Sequence, residues 1–301
     1  MNTENFQRPV VGVLWMLTSG ICFICVTALV KSLGPEIPPA ESAFIRYALG
    51  LVFLLPAIGQ LRRTPISPRL WRLFAVRGVI HAFGVILWFY AMTRIPIADV
   101  TAMNYMAPIY VTIGAALFLG EKLAARRIAA VGIALIGAFI ILRPGFREIG
   151  SGHLAMIGTA IVFGGSYLIT KILSGEVPAA VVVAMLSGFV TVTLFPFALA
   201  DWVDPSWHQV GVLFLVACAA TAGHYTMTLA FAAAPVTVTQ PVTFMQLIWA
   251  VLLGYFAFDE GIDVWVVTGG LVILGSVSFI TWREAVLNRR PITPPVGATK
   301  Y

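Results

Sequence analysis

Apolar runs of about 20 residues follow one another along this chain, and the gaps between them are too short to fold on their own. A run of that length is what a helix needs to cross roughly 30 Å of hydrocarbon, where backbone N–H and C=O groups must be satisfied inside the segment. The pattern predicts ten spans, at 10–33, 38–60, 71–93, 97–119, 124–143, 152–174, 178–200, 210–233, 236–258 and 262–282. The expected fold class is all-α, a polytopic membrane protein. Only 11% of the residues are charged, against roughly 25% in a soluble domain. The first apolar run continues past Val30, too long for a signal-peptide core, so it reads as an uncleaved first span.

The basic residues sit at span ends, so the formal charge of +6 reads as a topology signal and not as a nucleic-acid surface. With both termini placed in the cytoplasm, 13 Lys and Arg side chains lie near that side and 4 near the other, Lys31, Arg94, Arg143 and Arg147. That bias predicts a multi-pass protein with both ends inside. Cys22, Cys25 and Cys218 all lie in apolar runs, where cysteine acts as a small hydrophobe, and Cys22-Phe-Ile-Cys25 lacks the βαβ context of a redox motif.

A second constraint is internal repetition. Gly12 and Gly152, Lys31 and Lys171, and Pro56 and Pro196 are each 140 residues apart. Pro96 and Pro235, and Glu121 and Glu260, are 139 apart, while Gly132 and Gly270, and Gly137 and Gly275, are 138 apart. Offsets that drift without reversing indicate two related units, 1–145 and 146–285, followed by a Pro-rich tail, 286–301, expected to be disordered. Each unit holds five spans, an odd number, so the second enters the membrane from the opposite side as an inverted five-plus-five repeat. Small residues in spans 5, 6 and 10 (Gly132, Gly137, Gly164, Gly165, Gly269, Gly270 and Gly275) are expected to bring helices close together.

The run FYAMTRIPIADVTAMNYMAPIYVTIGAALFLGEKL, echoed by APVTVTQPVTFMQLIWAVLLGYFAFDE, resembles the EamA-type transporters of the drug/metabolite transporter superfamily. The resemblance covers nearly the whole chain. It implies ten helices in an inverted repeat, alternating access around a central cavity lined by helices 1, 3, 4, 6, 8 and 9, and a carrier of small organic metabolites in the inner membrane. Pro108 and Glu121 match the family pattern, whereas Leu247 stands where the second unit would hold the matching Pro, and Pro241 precedes it by one to two turns.

Polar side chains inside the spans mark the expected site, because an unsatisfied hydroxyl or amide in hydrocarbon costs several kcal/mol. Span 4 places Thr101 and Tyr105 on one stripe with Asn104 beside it, and span 9 places Thr243 and Gln246 likewise. His81 and His224 lie well inside spans 3 and 8, and Trp88, Tyr167 and Trp249 add aromatic surface. These ten residues form the expected substrate-binding set, with Pro96, Pro108, Pro235 and Pro241 as hinge or gate positions. Interhelical hydrogen bonding is the competing role for each of them.

Span interiors hold no Asp or Glu, and two histidines alone do not make a metal site. No metal, cofactor or catalytic residue is expected. Arg46 is expected to snorkel outward or to meet Glu41, while Lys31, Lys171, Glu121 and Glu260 lie at span ends. The aromatic content favours a planar solute such as riboflavin, S-adenosylmethionine or an aromatic amino acid, carried by a monomer or homodimer in contact with lipid and no nucleic acid. The alternatives are a general amino-acid or drug exporter, a sensor or assembly partner that transports nothing, and an intramembrane lipid enzyme, for which no nucleophile and base converge.

Overall fold

The computed structural model describes residues 9–107, 109–110, 113–114, 117, 125–146, 148–174, 176–233, 242 and 244–288. Its helices are α1 (Pro9–Ser32), α2 (Pro39–Gly50), α3 (Ile58–Arg63), α4 (Pro68–Met92), α5 (Ile97–Asn104), α6 (Ala125–Leu142), α7 (Ser151–Ser174), α8 (Ala179–Ala200), α9 (Trp207–Ala233), α10 (Phe244–Phe258) and α11 (Val264–Asn288). Five of them, in α1, α4, α7, α8 and α9, are long and apolar enough to cross a membrane, and α6, α10 and α11 contain shorter apolar helices. Large apolar side chains such as Val192, Trp207 and Phe256 face outward at 73%, 90% and 78% exposure. A surface of that kind is stable only against hydrocarbon.

Proline punctuates the helices. Pro38, Pro96 and Pro178 sit just before the first turns of α2, α5 and α8, where a missing N–H costs nothing. Ser67 caps α4 by accepting from the Leu70 N–H. The matched prolines Pro56 and Pro196 behave differently. Pro56 lies in a 3-10 segment, Leu51–Ala57, that separates α2 from α3, whereas Pro196 is carried inside α8. The second expected span is therefore interrupted, and so is the fourth: α5 ends at Asn104 and a turn at Tyr105 and Met106 follows.

α1 lies along α9 and α7 along α4; α4 also packs on α8, and α9 on α2. α1 meets α10, and α7 meets α5. Further pairs are α2 with α8, α5 with α10, and α6 with α11. The core between them is filled by Phe74, Phe89, Met92, Met103, Met156 and Leu247, all nearly inaccessible.

The closest approach of backbone to backbone at a described glycine joins α6 and α11. A Cβ on Gly137 would stand 2.8 Å from the Gly269 carbonyl oxygen, and one on Gly269 would stand 2.5 Å from the Gly137 carbonyl. Gly164 is pressed against Tyr110, and Gly270 against Leu247 and Ala102. Gly132 and Gly275 depart from expectation, since nothing lies within 4 Å of a Cβ at either. Their neighbours along the helix carry the contact instead.

Candidate functional site

The two interior histidines are held differently. His81 on α4 has its Nδ1 3.0 Å from Ser166 Oγ on α7 and stacks on Phe163 with ring centroids 4.7 Å apart. His224 on α9 is half-buried and meets Phe23 of α1 edge-on at 5.0 Å. His81 thus joins α4 to α7, and His224 joins α9 to α1.

Phe163 is the hub of the aromatic cluster. Besides His81, it contacts Trp88 edge-on at 6.2 Å and Tyr167 at 5.9 Å. Tyr167 packs on Phe163 and leaves 40% of its surface accessible, so one face of its ring is open. Trp88 contributes a buried indole N–H with no hydrogen-bond partner. An aromatic wall with an unused donor can hold a flat ring by stacking and one directed bond.

α1 links this cluster to the second unit. Ser19 donates to the Gly223 carbonyl at 2.9 Å, one residue before His224. Gly20 leaves room for α10, since a Cβ there would be 3.0 Å from both Gln246 and Trp249. Trp249 also packs with Ile24, Ile97 and Ala250. On α5, Asn104 has a buried Oδ1 with no partner. Tyr105 is buried and bonds to the Leu247 backbone on α10. Thr101 turns its hydroxyl back to the Ile97 carbonyl at 2.9 Å, which satisfies it within its own helix.

His81, Trp88 and Tyr167 thus form one aromatic group, and Gln246 and Trp249 meet at Gly20. Pro96 starts α5. Pro108, Pro235, Pro241 and Thr243 lie outside the described residues. Sequence reasoning missed Phe163 and Ser166; for Phe163 the signal was present, since it lies four residues before Tyr167 on the same face of α7.

One end of the bundle is shut by ion pairs that run from the first half to the second. Lys31 Nζ is 2.6 Å from Glu260 Oε1 and donates to the Ile95 carbonyl at 2.8 Å. Asp99 and His153, both buried, meet at 2.9 Å, and Arg143 pairs with Asp263. A cavity of about 250 Å³ lies among them, lined by Asp99, Arg143, Glu260 and Asp263. Glu260 is therefore a partly buried pairing group and not the surface residue its position at a span end suggested. Glu41 does not meet Arg46; it is buried and accepts from the Val203 N–H at 2.9 Å.

The model of the EamA-like transporter family matches residues 10–143 and again 150–282. A riboflavin transporter of Rhizobium johnstonii is 31% identical over 289 residues, covering 95% of both chains. An S-adenosylmethionine uptake transporter of Rickettsia prowazekii is 25% identical over 280 residues, 91% of this chain and 93% of its own. A crystal structure with 18% identity superposes with a TM-score of 0.60 over 92% of this chain and 98% of that one, which establishes a shared fold.

Proposed function

This chain belongs to the EamA-like transporter family and is a secondary transporter of a small metabolite, a multi-pass protein of the inner membrane and not an enzyme, and we propose that its solute is a flat, ring-bearing compound, riboflavin foremost. The observation that carries this reading is the aromatic cluster of Phe163, His81, Trp88 and Tyr167, in which Tyr167 keeps 40% of its surface accessible and Trp88 a buried indole N–H without an acceptor. Relatives named for riboflavin and for S-adenosylmethionine support the same class of solute, since both compounds present planar heteroaromatic rings.

The architecture in this reading is ten helices in two inverted units, 1–145 and 146–285, with both termini cytoplasmic. The two family matches begin at 10 and 150 and end at 143 and 282, which repeats the 140 and 139 residue offsets of the sequence landmarks. The exchange of contacts between mated helices supports the same symmetry. Transport then consists of rocking one unit against the other. The end closed by Lys31–Glu260, Asp99–His153 and Arg143–Asp263 faces the periplasm, so the conformation is closed to the outside. Pro96 belongs to the hinge, at the start of α5 where Glu260 also binds.

The test is uptake and efflux in proteoliposomes with labelled riboflavin, S-adenosylmethionine and tryptophan. Movement of riboflavin above protein-free vesicles in either direction is the expected result. Retention of all three compounds on their starting side, by protein that is folded and reconstituted, overturns the choice of solute.

A further inference from the structure

Two arginines lie inside the bundle, and among the described residues no carboxylate pairs with either. Arg77, ten residues into α4, is 5% exposed; its Nη1 donates to the Val182 carbonyl of α8 at 3.2 Å, and its Nε has no partner. Arg46, on α2, has its guanidinium 4.0 Å from the Tyr47 ring centroid. Every ion pair among the described residues involves other cations. Arg77 lies one helical turn before His81 on α4, so the two share a helix face, and α2, which carries Arg46, packs on α4.

A guanidinium at this depth needs a counter-charge or a full set of acceptors, and those among the described residues are the Val182 carbonyl and the Tyr47 ring. We propose that Arg77, with Arg46 beside it, is a subsite of the transport chamber that takes a planar group offering two adjacent acceptor atoms. The fork of a guanidinium matches such a group in two parallel bonds, which a lysine ammonium cannot reproduce. A carboxylate has this geometry, and so does the carbonyl and neighbouring ring nitrogen on one edge of a flavin. The ring lies along Tyr167 and Phe163, and its acceptor edge turns toward Arg77. This assignment rests on the transporter reading for the chamber, and it adds which end of the solute is recognised and by what.

The experiment measures dissociation constants of the purified full-length protein for three flat probes. Riboflavin carries the carbonyl and nitrogen edge, phenazine-1-carboxylate carries a carboxylate, and phenazine carries neither. Wild-type protein is expected to bind one or both of the first two about tenfold or more tightly than phenazine, the size of one charge-assisted bidentate contact. Arg77→Gln and Arg46→Gln are expected to bring that ratio down to about threefold or less while leaving phenazine binding unchanged. Removing a charge from membrane depth favours insertion, so these variants are expected to fold, and a monodisperse elution profile checks it.

Arg77→Lys separates the two chemistries: it retains part of the preference for the carboxylate and loses that for the flavin edge. Wild-type protein that binds phenazine as tightly as both other probes overturns the subsite. So does an unchanged ratio in both glutamine variants, the outcome expected if Arg77 only ties α4 to Val182. Transport of riboflavin by proteoliposomes holding the glutamine variants at the wild-type rate would sink the subsite and leave the transporter reading intact. A preserved binding ratio with no translocation does the reverse.

Discussion

Glu260 binds Lys31 with one carboxylate oxygen, at 2.6 Å, while the other accepts from the Ile97 N–H at 2.9 Å. One side chain thus ties the C-terminal end of α1 to the first turn of α5 and to the loop that follows α10. An anion at the start of α5 is also favoured by the helix dipole. Both side chains are mostly buried, at 17% and 13% exposure, so removing one partner leaves a charge in a poor solvent.

Glu260→Gln is therefore expected to weaken closure of that end by about 3 kcal/mol, the cost of orphaning a buried charge. The measurement is labelling of Ala98→Cys, which lines the adjoining cavity, by an impermeant maleimide in a background with the three native cysteines replaced by alanine. Labelling at least about tenfold faster than in the parent is the expected outcome. The exchange Lys31→Glu with Glu260→Lys is expected to restore part of the slow rate. Equal rates in parent and variant would show that the pair does not hold the end shut.

The contact between α6 and α11 allows no side chain. Gly137→Ala places a methyl group against the Gly269 carbonyl and Ile273, and backbone on one side cannot yield as a side-chain tip can. The expected cost is about 1–3 kcal/mol, read as a lower thermal midpoint. Gly132→Ala, with nothing within 4 Å, is expected to leave the midpoint unchanged or to raise it slightly, because Ala is the better helix former.

How much of this was legible beforehand differs from one residue to the next. The membrane-spanning, all-helical class was readable because hydrocarbon imposes a length on apolar runs, and the two family matches begin 140 residues apart, the offset of Lys31 and Lys171. Partner choice was not readable. Nothing in the sequence places Glu260 on Lys31, 229 residues away, because that contact depends on how the halves dock. Arg46 was expected at the lipid edge or on Glu41; docking α2 against α8 and α9 turns Glu41 to Val203 and leaves Arg46 over Tyr47. Thr101 is polar and well placed on a stripe, yet its own helix satisfies it.

The histidines are expected to separate on substitution. His81→Ala removes the bond to Ser166 and the stacking on Phe163, leaving a buried hydroxyl unpaired and a void. A loss of about 2–4 kcal/mol follows from the hydrogen-bond and cavity terms together. His224→Ala removes a half-buried ring that meets Phe23 edge-on and is expected to cost less than His81→Ala, about 1 kcal/mol. Thermal midpoints compared with proteoliposome uptake check this: His81→Ala should lower both, and His224→Ala should lower uptake alone. Equal destabilisation by the two would contradict the assignment of His224 to the chamber.

Gly20 gives the most selective test of the cavity, because its surroundings are site residues and not backbone. A methyl group there would lie 3.0 Å from Gln246 Cγ and from the Trp249 ring, closer than ordinary contact, with the Gln246 amide nitrogen at 3.4 Å. Both side chains have rotatable bonds, so the helices need not separate; the two groups are displaced by a few tenths of an ångström or into another rotamer. Ala is also favoured over Gly in a helix by about 1 kcal/mol, which offsets the strain. Gly20→Ala is therefore expected to leave the thermal midpoint near that of the wild type while lowering transport several-fold, since small misplacements of positioning groups are costly. Gln246→Ala, which removes the crowded side chain, should restore room in the double variant without restoring the rate if the Gln246 amide contacts the solute. Recovery of full transport in Gly20→Ala with Gln246→Ala would show that the amide only fills space.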